Sequence, residues 1–398
     1  MKSKFISPFK PKQIKDFNPK NMQIYTFNAG FKKKELDLLI INFERPIPVS
    51  VVYSKTSTPS GPIIWDKKNN KGFCKILIVN SGNANAHTGK KGLKCIDKYT
   101  NLASKTFKCN QNQILVSSTG VIGEQLDSDK ICSKLSLISR SSPKKILSAA
   151  KSIMTTDTFP KVAIEKIKHH KKNILIYGIA KGSGMIAPNM GTMLSYIFIE
   201  TALSKKILNR LLKENIDSTF NSITVDGDTS TNDTVALFAT GQKKRTDKVD
   251  KNLILKISKS LHKIMSKLSY NIVTDGEGIS KLIEVNVINA KNKKQAGRVA
   301  FSIAESTLVK TAIAGNDANW GRIVMAIGKA DKYIVQNKLV IKFDKATVSK
   351  NGQKNPKINE AKLDKYMKNR IIKIEVNLNL GKHNKKVLSS DLTHDYIN

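Results

Sequence analysis

Acidic residues are scarce in this chain. Against 69 Lys and Arg there are 31 Asp and Glu, a formal net charge of +38 over 398 residues. Aromatics are few too, 6% with 2 Trp. A nucleic-acid reader gathers its positive charge in a stripe or motif and interleaves stacking aromatics. Here Lys is spread over nearly every segment beside many Asn and Ile. The charge therefore reads as a dispersed, solvated surface, with no nucleic-acid partner expected. No apolar run approaches the roughly 18 residues of a membrane span. The basic N-terminus, MKSKFISPFKPKQIKDFNPK, lacks the apolar stretch of a secretory signal. A cytoplasmic protein without a membrane partner is the expectation. Cys74, Cys95, Cys109 and Cys132 form no C-x-x-C pair and read as reduced thiols. The 6 His show no H-E-x-x-H or Cys/His ligand spacing, so no metal site is expected.

What is present is a core. Apolar residues make up 40% of the chain, ample at this length for packed layers. Three apolar runs end in loops of small residues: KILIVN (75–80) before SGNANAHTG, ILVSS (114–118) before TGVIGE, and NILIYGIA (173–180) before KGSGMIAPNMG. Buried strands ending in Gly- and Asn-rich loops are where backbone donors and polar side chains collect at a site. Helical patterns cover 94–107, 129–138, 143–154, 203–215, 249–268 and 296–315. Further strands are expected over 192–200, 235–240, 281–290, 338–343 and 371–380. The order implies an α+β protein of layered sheets and helices.

One step stands out for its chemistry: KGSGMIAPNMGTML, residues 181–194, holds Gly191 followed by Thr192. A threonine hydroxyl inside a chain has no base beside it. At a chain's own N-terminus it has a free α-amine, of pKa about 7.7–8.0, a few ångströms away. Cleavage after Gly191 would create that terminus, and a bare glycine leaves its carbonyl open to attack by the Thr192 hydroxyl. The polar run VDGDTSTNDT (225–234) brings Asp226, Asp228 and Asp233 together without the spacing of a calcium loop. It reads as turns and hydrogen bonds around the site loops. Asn83, Asn85 and the Asn319-Trp320-Gly321-Arg322 stretch read as supports behind the site.

Six motifs in order, VNSGNANAHTG, SSTGVIGE, MTTDTFPK, GSGMIAPNMGTML, NSITVDGDTSTNDT and GNDANWGRI, resemble the bifunctional ornithine acetyltransferase/glutamate N-acetyltransferase family of arginine biosynthesis. The likeness runs from about residue 20 to the end. It implies an α/β/β/α arrangement of the N-terminal-nucleophile kind with a smaller C-terminal α/β region. It also implies self-cleavage between Gly191 and Thr192 into chains 1–191 and 192–398, associated as α2β2. The activity implied is acetyl transfer from N-acetyl-L-ornithine to L-glutamate through an acetyl-threonine ester. No cofactor is implied, with acetyl-CoA a possible second acetyl donor.

Residue by residue, the resemblance makes Thr192 the nucleophile and Thr119 and Gly120 the oxyanion hole. Thr158, Lys181, Thr192 and Glu277 become substrate contacts. Family members more often carry Ala before the nucleophile; Gly191 is smaller, so cleavage is expected to survive. The family also continues past DLTHDYIN with a short substrate-contacting tail, and nothing is carried over at Asn398. Two other readings stand beside the acetyltransferase: an N-terminal-nucleophile amidase or aminopeptidase that passes the acyl group to water, and a basic nucleic-acid binder that stays uncut.

Overall fold

Strands apolar on both faces need cover on both faces, and most strands of the first two thirds of this chain are of that kind. The structure, a computed structural model, describes residues 5–170, 172–187, 193–242 and 250–397. Its first sheet holds β1 (Met22–Phe27), β2 (Leu38–Tyr53), β3 (Phe73–Asn83), β4 (Ile114–Val121), β5 (Lys161–His169), β6 (Lys172–Lys181) and β7 (Leu194–Ile199). The short β8 (Ile223–Thr224) leaves for the second sheet, and β9 (Thr234–Ala239) returns to the first. The strand order is β4-β3-β2-β9-β7-β6-β5, with β1 beside β2.

Strand β2 explains the architecture. Its first half pairs with β1 and β3, its second half with β9, and the register shifts between Asn42 and Ile47. The shift bends the sheet over on itself. Alternation along the strands then separates three cores. Leu39, Ile41, Leu77 and Val79 meet Ile179, Tyr196 and Phe198 between the two halves. Their neighbours Leu38, Ile40, Ile76 and Ile78 face the other way, onto Trp65, Ile96, Tyr99 and Ile131. Those residues come from α1 (Gly61–Asn69), α2 (Gly89–Thr106) and α3 (Ser128–Leu135). A small helix, α4 (Ile146–Ser152), sends Ile146, Ala149 and Ala150 into the core between the sheet halves. On the far side Ile197, Ile199, Val235 and Leu237 pack on α5 (Lys205–Ile216) and α6 (Lys251–Val273). The result is four layers, helix-sheet-sheet-helix. The few aromatics are concentrated where the halves meet: Phe198 stacks on Phe238 at 5.1 Å and on Tyr177 at 5.3 Å, and Phe43 lies 5.3 Å from Phe238.

The second sheet contains β8 with β10 (Leu282–Ala290), β11 (Val340–Phe343), β12 (Ala346–Lys350), β13 (Gln353–Lys354), β14 (Ile371–Asn377) and β15 (His383–Ser390). Its helices are α7 (Lys293–Ala304), α8 (Thr307–Ala314), α9 (Trp320–Ala330) and α10 (Glu360–Met367). Ile283, Val285 and Val287 on β10, with Ile372, Ile374 and Val376 on β14, form one core with these helices. The α+β layered expectation and the smaller C-terminal region both hold. No described helix is long and apolar enough to cross a membrane.

Three local expectations change. The loops expected at 81–89 and 119–124 begin later, because parallel pairing continues through Ser81 with Thr119 and Gly82 with Gly120. The helix expected over 296–315 is two, since the Ser306 hydroxyl accepts from the Val309 N–H and starts α8 afresh. Strand β2, with Pro46 and Pro48, was not expected as a strand at all; its prolines lie at and beside the register shift, where the ladder is interrupted. The step between Gly191 and Thr192 lies outside the described residues. Its flanks are neighbours in the sheet: β6 and β7 pair antiparallel, with Lys181 opposite Leu194. Residues on both sides of that step thus share one sheet.

Candidate functional site

Strands β3 and β4 run parallel and end together, which sets two backbones side by side at one sheet edge. Gly120 has φ +134, and a Cβ there would fall 2.3 Å from the Gly82 carbonyl carbon and 2.5 Å from the Asn83 nitrogen. Only glycine fits so close an approach. Asn232 fastens the pair, its Nδ2 donating to the Ala84 carbonyl at 2.7 Å and the Ser118 carbonyl at 2.8 Å. Beside this edge opens a cavity of about 770 Å³, lined by Lys32, Thr119, Gly120, Lys181, Glu277 and Tyr396 among others.

Lys181 ends β6 and is buried, with 3% of its surface exposed. Its Nζ donates to the Thr119 Oγ1 at 3.1 Å. Burial lowers its pKa from the ordinary lysine value; the Asp157, Asp233 and Glu277 carboxylates oppose that, while Lys161 adds to it. Glu277 is half-buried on the loop after α6, its N–H donating to the Ser183 carbonyl at 3.2 Å. Gly184 lies against the Glu277 carboxylate, which would have to shift to admit a Cβ there. So the structure brings Thr119, Gly120, Lys181 and Glu277 to one cavity.

Thr158 is placed differently. It lies behind the cavity, its Oγ1 donating to Asp275 Oδ1 at 2.5 Å and its N–H to Asp275 Oδ2 at 2.9 Å. Thr155 and Thr156, just before it, line the cavity instead. Gly191 and Thr192 lie outside the described residues. Met193, the next residue, is buried, and its N–H donates to Asp233 Oδ1 at 2.7 Å. Burial pushes the Asp233 carboxyl well above the usual carboxylate range, against the pull of that N–H and of Lys181.

The run 225–234 behaves as expected of site-loop turns. Asp226 accepts from the Met185 N–H at 2.5 Å and the Ile186 N–H at 2.8 Å, pinning the loop that leads to residue 187. Asn83 accepts from the Asn85 N–H at 2.8 Å behind the β3 end. Asn319 caps α9, its side chain accepting from the Arg322 N–H. Sequence reasoning missed Lys32 and Tyr396. Lys32 donates to the Leu36 carbonyl at 3.0 Å and the Met154 carbonyl at 2.6 Å, and burial lowers its pKa. Nothing in FKKKELD marks it among so many lysines. Tyr396 sits 3.4 Å from Asp226 Oδ2, and burial, with the Asp226 and Glu277 charges, pushes its phenol up to about 12. Among the described residues His169, His170 and Asp250 have ligand atoms within 4.8 Å of one another, where the β5–β6 turn meets the start of α6, outside this cavity.

The fold and the cavity define a four-layer α/β/β/α protein whose pocket is lined by a backbone edge, a buried lysine and a carboxylate. The profile of the ArgJ family matches residues 23–398. The arginine biosynthesis bifunctional protein ArgJ of Bradyrhizobium diazoefficiens is 41% identical over 404 residues, 99% of this chain and 98% of that protein. The Bartonella quintana protein of the same name is 42% identical over 401 residues, 98% of this chain and 97% of its own. The crystal structure of the Bacillus halodurans ArgJ protein matches at 36% identity over 51% of this chain and 95% of its own, with a TM-score of 0.48. The chain belongs to the ArgJ family.

Proposed function

We propose that this protein transfers the acetyl group of N-acetyl-L-ornithine to L-glutamate in arginine biosynthesis, and also takes acetyl-CoA as a donor for glutamate. The observation that carries the reading is the meeting of Thr119, Gly120, Lys181 and Glu277 at one cavity in a chain alike from end to end to ArgJ proteins. The enzyme first cuts itself between Gly191 and Thr192. The Thr192 hydroxyl then attacks the acetyl carbonyl while its own α-amine takes the proton. The C–N bond breaks, ornithine leaves with that proton on its amine, and acetate stays as an ester on Thr192. The glutamate α-amine attacks the ester carbon, and the threonine oxygen leaves and regains a proton.

Thr119 and Gly120 have the chemistry for the charge that develops on the carbonyl oxygen: a hydroxyl, and an N–H on a backbone no side chain screens. Lys181 offers an ammonium to the carboxylate that both donor and acceptor carry. Glu277 offers a carboxylate to the ornithine side-chain amine, and Thr158, bonded to Asp275, positions the loop that brings Thr155 and Thr156 to the substrate. The two chains stay together as α2β2 in the cytoplasm, without a resident cofactor. Denaturing mass spectrometry tests the core of this reading. Two fragments from the wild type, a single 44.2 kDa chain from Thr192→Ala, and transfer activity in the former alone are expected. An active wild type with an intact chain overturns it. Acetate release without acetylglutamate would assign the protein to the amidases.

A further inference from the structure

Directly behind the cavity lie three buried charges with no part in the transfer chemistry above. Lys161 opens β5 and is wholly buried. Its Nζ donates to Asp157 Oδ1 and to Asp275 Oδ2, both at 2.6 Å. Burying ion pairs costs several kcal/mol per ion before their attraction is counted, and apolar residues of similar size would fill the space at lower cost. Stability alone therefore does not account for the cluster.

Its outward bonds do. Asp157 Oδ1 accepts the N–H of Gly182, the residue after Lys181, at 2.8 Å. Asp275 holds both the N–H and the hydroxyl of Thr158. The Asp275 carbonyl accepts from the Ser183 hydroxyl at 2.6 Å, and the Ser183 carbonyl accepts from the Glu277 N–H at 3.2 Å. The Lys181 and Thr158 segments are thus tied to the Asp157 and Asp275 side chains, and the Glu277 segment, through Ser183, to the Asp275 backbone. The charges matter as well as the bonds. Two carboxylates around one ammonium leave a surplus negative charge beside Lys181, whose own ammonium is buried.

We propose that the Asp157–Lys161–Asp275 triad is the positioning device of the substrate pocket, aligning the Thr158, Lys181 and Glu277 segments and keeping Lys181 charged for the substrate carboxylate. The inference rests on the acetyltransferase reading and names how that site holds an amino-acid substrate. Burial alone would raise the Asp157 carboxyl, but Lys161, Lys181 and the Gly182 N–H hold it well below the usual range. Burial alone would likewise lower Lys161, and its two carboxylates more than offset that. Facing Lys181 are Asp157, Lys161, Asp233 and Glu277, and Lys32 lines the same cavity. Removing the Asp157 charge takes away the first carboxylate that keeps Lys181 protonated, so its pKa falls and its charge is lost at lower pH.

The test is steady-state transfer by the cleaved enzyme across pH, comparing wild type with Asp157→Asn, whose side chain is near-isosteric. The expected result is a KM for N-acetylornithine and glutamate raised about tenfold, kcat within about threefold, and the alkaline rise in KM moved toward acid. Asp275→Asn, which keeps an acceptor for Thr158, is expected to move KM the same way. Thermal melts identify a variant that has not folded, in which case the other decides. A folded variant with wild-type KM and an unmoved alkaline limb overturns the proposal, as does a folded variant that loses only kcat. A wild type that transfers no acetyl overturns the functional reading itself, a different outcome.

Discussion

Four lysines are buried among the described residues, Lys161, Lys181, Lys281 and Lys310, in a chain whose Lys and Arg total 69. Each ammonium meets oxygen. Lys161 bridges two carboxylates, Lys281 reaches the Ile313 carbonyl at 2.9 Å and the Met367 carbonyl at 2.7 Å, and Lys310 donates to the Val225 carbonyl. Burial pulls Lys310 down to about 8. Lys181 meets a hydroxyl, that of Thr119, which links the proposed substrate cation to the proposed oxyanion hole. Removing that hydroxyl separates the two roles. Thr119→Val is expected to lower kcat for acetyl transfer by about a hundredfold, the usual size for one lost oxyanion donor. Initial rates at saturating N-acetylornithine and glutamate check this. A rate within a few-fold of wild type would remove Thr119 from the chemistry.

At the scale of elements, the site is an edge effect: β3 and β4 must end together, and β6 must deliver Lys181 beside them. Asn232 provides the clamp, through two buried amide-to-carbonyl bonds. Asn232→Ala leaves two buried acceptors unpaired and is expected to destabilise the protein by about 2 kcal/mol. Urea unfolding monitored by circular dichroism measures this; an unchanged midpoint would show that the strand ends hold without the clamp. The element scale is also where sequence reading did best and worst. Strands with unbroken apolar runs, such as β3 and β6, were legible because burial on both faces leaves that trace. β2 was not, since its prolines suit a loop as well as a bend.

For the whole molecule, the decisive fact is that β7 and β9 lie between β2 and β6. A cut after Gly191 would sever the connection from β6 to β7 but not their ladder, which pairs six residues on each side from Ile176 with Ile199 to Lys181 with Leu194. The two fragments are therefore expected to run as two bands in denaturing gels and to co-elute as one species in native size-exclusion chromatography. Separation without denaturant would contradict the shared sheet. The dispersed charge does not obstruct this, because the interface is apolar: Tyr196, Phe198 and Phe238 are wholly buried between the sheet halves.

The sequence by itself determined the layered α+β class, most strands and helices, and the short motifs around the site, because alternation, turn residues and glycine steps are local properties of the chain. It also carried the expectation of Thr192, on a Gly-Thr step no composition argument would single out. Only the tertiary structure decided which lysines are buried, that Thr158 binds Asp275 behind the cavity, and that Lys32 and Tyr396 line it. Those facts depend on contacts between residues far apart in the chain, such as Thr158 with Asp275, 117 positions away, and Lys181 with Thr119, 62 positions away, and long-range packing leaves no periodic mark in a sequence.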